Sequence, residues 1–427
     1  MTSATEQAPI FAASAALSSA LKDPGWLAEL RAAAAEVAGR LPLPDPHRER
    51  PWKYLDVTGM DFAPYTPGPR PTSGVTAADF GVANTATGVL LQFNGTTIKT
   101  TDAPGVRVTD FVAADPAAAA TIEKHLAKSV PVGRSKFTAL HYAYLTGGVL
   151  IEAAANAETP TPIRIVRNYK DAGQLAAPHT LIVTGANSHI TVIEDCRSSD
   201  EDILVLPAVE VVPGPGSTIR YAVLHRWGSQ TRVFSEQQIV TVQDSAFVAF
   251  NLITGGRVVK SHLHSSLEGR GSSSELFGLY VGKAKQHTDF YTVQDHIGPD
   301  TRSDLLFKSA LRDDSRSVYY GLTRVGLGAK NADANQESRN LLLSRTAKAD
   351  SDPVLEILTN DVIRVSHGAT AGPVDQEQLY YLQTRGLTHD DAEALLVRAF
   401  VGQVLDRLPD EALRTEIEAM IEERLGE

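Results

Sequence analysis

Between about residue 85 and residue 366 the chain carries no helical period. Short runs rich in Val, Ile, Leu and Thr recur instead, among them GVLLQF, PIRIV, TLIVT, HITVIED, ILVLPAVEVV, TIRYAVL, AFVAFNLI and SVYYGLTRVGL. Gly, Asn, Asp, Pro and Ser punctuate them every ~10–15 residues, which is how short strands read. Roughly ten to fifteen strands with no helix of any length between them exclude a doubly wound α/β fold. They leave sandwiches, jelly rolls, propellers and β-solenoids. A propeller normally repeats one sequence signature per blade. No fixed repeat is visible here, which favours a β-helix with turns of variable length.

Both flanks are helical in pattern. In WLAELRAAAAEVAGRL, Leu27, Leu30, Ala34 and Val37 share a face, and Asp23-Pro24 supplies a start signal. The Pro-rich run 41–51 cannot continue that helix and reads as a connector or an extended arm. From Pro373 the helical period returns. DQEQLYYLQTRG ends at Gly386, suited to the left-handed residue that closes a helix. Thr388, with Asp391 three residues on, starts a second helix whose apolar face is wider than one stripe and has to be covered on more than one side. Leu408-Pro409 interrupts it before a third. The expected organisation is an N-terminal helical region with its connector (1–84), a β core (85–371) and a C-terminal helical domain (372–427).

Composition narrows the chemistry. Among 427 residues, 40 Lys and Arg face 51 Asp and Glu, a formal charge of −11. That balance argues against nucleic acid and against anionic lipid, both of which need clustered surplus cations. One cysteine, Cys196, rules out an intrachain disulfide framework and a cluster held by four thiolates of this chain alone. The N-terminus lacks a basic n-region and no stretch of about 18 apolar residues occurs, so a soluble, cytoplasmic protein is expected. There is no P-loop, no G-x-G-x-x-G opening a helix and no G-x-S-x-G elbow.

Two local features invite chemistry. His262-x-His264-x3-Glu268, preceded by Gly256, puts two imidazoles on one side of a strand with a carboxylate nearby. The spacing resembles the first motif of cupin jelly rolls and implies a metal-dependent enzyme as the alternative function, although the second cupin motif is absent. The plainer reading is a pair of same-side histidines on an exposed strand. Cys196 ends a strand before the turn RSSD, and a single cysteine without a fixed partner reads as structural.

Residues 286–390 carry the most information. Gln286-His287-x-Asp289, Asp295-His296, Gln336-x3-Asn340-Leu341-Leu342-Leu343-Ser344 and Pro353-x-Leu355-Glu356-Ile357 follow one another. Next come Asp361-Val362, Ser366-His367-Gly368-Ala369-Thr370, Gln378-Leu379-Tyr380-Tyr381-Leu382 and Arg385-Gly386, and upstream stands Arg50-Pro51-Trp52-Lys53-Tyr54. In order and spacing this closely resembles the SufB/SufD family of iron–sulfur cluster assembly proteins. Within it the SufD branch fits better, because Ser338 and Val365 stand where thiolates are found in other members.

The resemblance implies a right-handed parallel β-helix core and a non-catalytic SufD-type subunit of a SufBCD scaffold, supporting cluster formation and transfer to apoproteins. It implies pairing with SufB through the core and docking of SufC, an ABC-type ATPase, on the C-terminal helices. It further implies sulfur supplied by a desulfurase system, with a homodimer possible for the isolated chain. No cofactor is expected to be held tightly by the chain alone; an iron–sulfur cluster would be transient in the complex. His367 is the expected metal-binding residue at the SufB interface, with Glu356 on the preceding strand. Imidazole and carboxylate are the donors left to a chain without thiolates there.

Overall fold

The computed structural model describes residues 4–70, 72–81, 87–408 and 410–426. The expected boundary between residues 84 and 85, and Pro409, lie outside the described residues. The strand zone forms a parallel solenoid of about 8 turns. A first sheet includes Val149–Ala153, His179–Thr184, Ala208–Val212, Arg232–Thr241, Val258–Leu267, His287–His296, Arg316–Val325 and Lys348–Ile357. A second sheet includes Ile163–Tyr169, His189–Ser198, Thr218–Arg226, Ala246–Ile253, Ser273–Gly282, Arg302–Leu311, Ala332–Leu342 and Val362–Pro373. The chain alternates between the sheets, so each coil lays one strand on each.

Alternation along the strands sends every second side chain into the lumen. Ile219, Tyr221 and Val223 face Val209, Val211 and Ile239 in one continuous interior cluster, which also buries Cys196. The coils are not of one length. The in-register offset is 26 residues from Arg232 to Val258, 29 from Val258 to His287 and 32 from Arg316 to Lys348. Variable turns of this kind hide the repeat from the sequence. One corner does repeat: Asn156, Asn187, Gly216, Asp244, Gly271, Asp300 and Asn331 all have φ between 53° and 71°. Gly, Asn and Asp are the residues that adopt that left-handed conformation at least cost. Successive corners are tied together, as where the Asn331 amide donates to Asp300 Oδ1 at 2.8 Å.

Helices α1 (Ala4–Leu21) and α2 (Gly25–Arg40) pack outside the first sheet. Two further helices overturn the expectation of a helix-free strand zone: α3 (Pro116–His125) and α4 (Lys136–Ala143). Local chemistry explains both. Asp115 and Ser135 cap the first turns, accepting from the Ala118 and Thr138 N–H groups. Pro116 and four alanines favour the helical state, and Ala118, Ile122, Phe137 and Leu140 are buried with Leu27, Leu175 and Phe234. The N-terminal end of the solenoid closes with antiparallel strands, Thr96–Thr101 on one sheet and Val106–Asp110 on the other.

At the other end, α5 (Gln376–Thr384), α6 (His389–Leu405) and α7 (Glu411–Gly426) do not cap the solenoid. They lie on its flank, where Val397, Val401, Leu413 and Ile417 cover Phe250, Leu252, Phe277 and Leu279 of the second sheet. The connector forms a strap along the first sheet. Trp52 stacks on Phe137 at 5.5 Å, Lys260 Nζ donates to the Pro51 carbonyl at 2.6 Å, and Arg50 pairs with Asp352 at 3.1 Å.

Candidate functional site

The last coil consists of Lys348–Ile357 and Val362–Pro373, and among the described residues neither strand has a partner on its outer edge. Most of its residues are partly or fully exposed, in contrast to the buried coils before it. Ile357, Leu358 and Ile363 are exposed here, Ile363 at 70%. An uncovered edge of two strands with apolar side chains invites a further strand to pair with it.

His367 sits on this coil, exposed, in register with Gln336. The register column runs Leu276, Leu305, Gln336, His367, and its earlier members point into the lumen. His367 therefore belongs to the lumen column at the open mouth. Beneath it Gln336 donates to the Tyr319 hydroxyl at 2.7 Å, and the Thr323 hydroxyl lies 3.1 Å from its Oε1. Glu356, also exposed, occupies the opposite parity. It continues the outward column of Ser266, Asp295 and Arg324 on the first sheet, whereas neighbouring Ile357 continues the lumen column. Burial raises the Asp295 carboxyl above its ordinary range; Arg324 opposes this and Glu356 adds to it. The structure thus puts His367 and Glu356 on one coil but on different sheets and different faces.

The second candidate set resolves differently. His262 and His264 do share the outward face, their rings stacked 6.3 Å apart. His262 Nδ1 lies 2.7 Å from Glu236, which Arg134 also engages at 3.3 Å. Burial opposes ionisation of Glu236, but His262 and Arg134 outweigh it and hold the carboxyl below its usual range. Burial, with His262 and Arg134, pushes His264 down to about 3, which keeps it neutral. Glu268 lies beyond the end of the strand, and among the described residues no three His, Cys, Asp or Glu side chains gather as a metal site needs. The parallel solenoid is also not a jelly roll, so the cupin-like alternative is overturned. Glu236 and Arg134 were invisible to local spacing. Glu236 stands one coil from His262, and Arg134 reaches it from the loop before α4.

Cys196 lies inside its strand rather than at its end, with Sγ 3.8 Å from Glu194. Burial first, and then Glu194, pushes the thiol well above its ordinary range, so it stays protonated and unreactive.

Residues 166–400 match the sequence profile of the SUF system FeS cluster assembly, SufBD core domain. The chain belongs to the SufB/SufD family. The match takes in most of the solenoid together with α5 and most of α6. Over 420 residues the chain is 27% identical to the iron–sulfur cluster assembly protein SufD of Bacillus subtilis, covering 95% of each chain. It is 31% identical to Escherichia coli SufD over 192 residues, 45% of each. To Bacillus subtilis SufB it is 26% identical over 292 residues, 67% of this chain and 62% of that one. Among SufB/SufD proteins, then, this is an iron–sulfur cluster assembly chain built on a β-helix. No helix of the described residues is long and apolar enough to cross a membrane.

Proposed function

We propose that this chain is the SufD-type, non-catalytic subunit of a cytoplasmic SufB–SufC–SufD scaffold, and that its open last coil is where SufB pairs with it. The observation that carries this reading is the uncapped end. One end of the solenoid is closed by antiparallel strands, while the other presents two long strand edges, exposed Ile363 and Leu358, and His367 at the lumen mouth. A related β-helix laid against that edge would continue the ladder and cover the apolar residues.

In that arrangement His367 faces the joint from inside the lumen and Glu356 from the outer face. The nascent cluster is cargo. It is built from iron and from sulfur handed on by a desulfurase system, and it is held chiefly by thiolates of the partner. His367 adds a nitrogen donor. Glu356, on the opposite face, fits passage of iron to the joint better than ligation beside His367. The α5–α6 pair supports docking of SufC: Tyr381, Leu382, Leu395 and Leu396 line an open groove there, with Tyr381 and Leu395 exposed.

The test is the iron and sulfide content of the purified complex carrying His367→Ala. The exposed side chain makes the change mild for folding, so the complex should assemble and hydrolyse ATP but carry much less iron and sulfide. Wild-type iron and sulfide would remove His367 from the site.

A further inference from the structure

Lys308 interrupts the apolar seam between the second sheet and the C-terminal helices. In register it continues the outward column Leu224, Leu252 and Leu279, and those leucines lie in the cluster that Val397, Val401 and Val404 cover. Only 2% of Lys308 is exposed. Its ammonium donates to the Phe400 carbonyl of α6 at 2.7 Å and to Gln403 Oε1 at 2.6 Å, and lies 4.3 Å from the centre of the Phe400 ring. All of these are neutral groups. Three other cations that cross this seam each have a carboxylate: Arg164 with Glu416 at 2.6 Å, Arg312 with Glu393 at 2.6 Å and Arg407 with Asp304 at 3.3 Å. Among the described residues no carboxylate pairs with Lys308, and nearby Glu337 is taken by Arg339 at 2.7 Å. Burial, with Arg339 adding to it and Glu337 opposing, brings the ammonium from its ordinary 10.5 down to about 8, so it stays mostly charged at neutral pH. A buried charge met by neutral dipoles is held at a cost. That cost is present while α6 is seated and disappears when the ammonium returns to water.

We propose that Lys308 is a release point, which lets α5, α6 and α7 lift from the second sheet as one unit while the coils stay folded. The three helices hold together by themselves. Leu379 and Leu382 of α5 pack with Ala392 and Leu396 of α6, and Arg398 of α6 pairs with Glu422 of α7 at 3.4 Å. Val374 and Asp375 alone link the last strand to α5 and form the hinge. Elements packed on one flank of a core open at free energies below that of global unfolding. Such an opening changes the angle of the α5–α6 groove to the solenoid, and it does not depend on what that groove binds.

Native-state hydrogen exchange of the full chain at pH 7, read by mass spectrometry, tests this. In the unsubstituted protein α6 and α7 should exchange together, at least about tenfold faster than the strands Ser273–Gly282 and Arg302–Leu311 beneath them. Lys308→Met keeps the length of the side chain and removes its charge. It should slow exchange in α6 and α7 at least about fivefold and leave the strands unchanged. The drop from 10.5 to about 8 bounds the gain at roughly 300-fold, and the two lost hydrogen bonds take back part of it. Separate rates for α6 and α7, or rates equal to those of the strands, overturn the proposal. So does a variant whose α6 and α7 exchange no more slowly, or whose strands slow equally. A variant that fails to fold makes Lys308 an anchor and overturns it too.

Discussion

Replacing Glu210 with Gln should destabilise the chain by several kcal/mol while barely changing its shape. Glu210 is fully buried on the first sheet and anchors the loop between α3 and α4. Its carboxylate accepts from the Ala127 N–H at 2.7 Å, the Ser129 N–H at 2.7 Å and hydroxyl at 2.8 Å, and the Val130 N–H at 2.9 Å, with His179 Nε2 3.3 Å away. Burial alone would raise this carboxyl, but His179 and the backbone donors outweigh it and bring it down to about 2 from its ordinary 4.5. At ~1.4 kcal/mol per tenfold, that depression corresponds to about 3 kcal/mol at neutral pH. An amide keeps the volume but turns an N–H₂ towards backbone N–H groups that need an acceptor. Removing one partner of a buried charged pair typically costs ~3–5 kcal/mol. Because the folded carboxyl ionises more readily than the unfolded one, its contribution is complete above pH ~4.5 and is lost as pH falls through about 2. Urea unfolding of both proteins from pH 7 to pH 3 measures it. The Gln variant should lie about 3 kcal/mol lower at pH 7, with the gap narrowing towards pH 3. A gap under 1 kcal/mol at pH 7, or one that does not narrow, refutes the argument.

Three shorter predictions follow from the surfaces. Ile363→Asp puts a charge on the open edge without touching the core, so it should weaken pairing with SufB at least tenfold by sedimentation, the loss expected for one buried Ile of ~1.5–3 kcal/mol, and leave the melting temperature within about 2 °C. Leu395→Asp, exposed on α6, should reduce SufC binding by a similar factor in calorimetry and leave SufB pairing intact. Phe277→Ala removes a fully buried ring between the second sheet and the C-terminal helices, and should cost ~3–5 kcal/mol in denaturant unfolding.

The class of fold was legible because strand runs and punctuation are local properties. So were the C-terminal helices: Thr388 does accept from the Asp391 N–H, and Gly386 has the left-handed φ of 98° its position calls for. What escaped was set by distance along the coil. Coil lengths of 26 to 32 residues blur any search for a fixed period, and the repeat survives only in the left-handed Asn, Asp and Gly corners. Parity was equally hidden. Glu356 and His367 are eleven positions apart, but a turn separates their strands, so spacing alone could not tell which side chain enters the lumen. Helices α3 and α4 were lost because PAAAATIEKH and KFTALHYA are each too short to show a period in a wide window.

The strap has a consequence in time. Arg50 and Asp352 are 302 residues apart, and the connector also touches coils in between through Lys260 and Arg316, whose guanidinium lies 5.1 Å from the Tyr54 ring. At ~5–20 residues per second, Arg50 leaves the ribosome some fifteen seconds or more before its partner exists. The belt can be buckled at its last hole only when the strand Lys348–Ile357 has been made. Until then the connector is fastened only to earlier coils, through contacts such as Trp52 on Phe137, Lys260 on Pro51 and Arg316 on Tyr54, and a chain truncated before Asp352 cannot make the last one. Closure of that contact therefore marks the arrival of the strand Lys348–Ile357, at the end of the solenoid where a partner would first meet it.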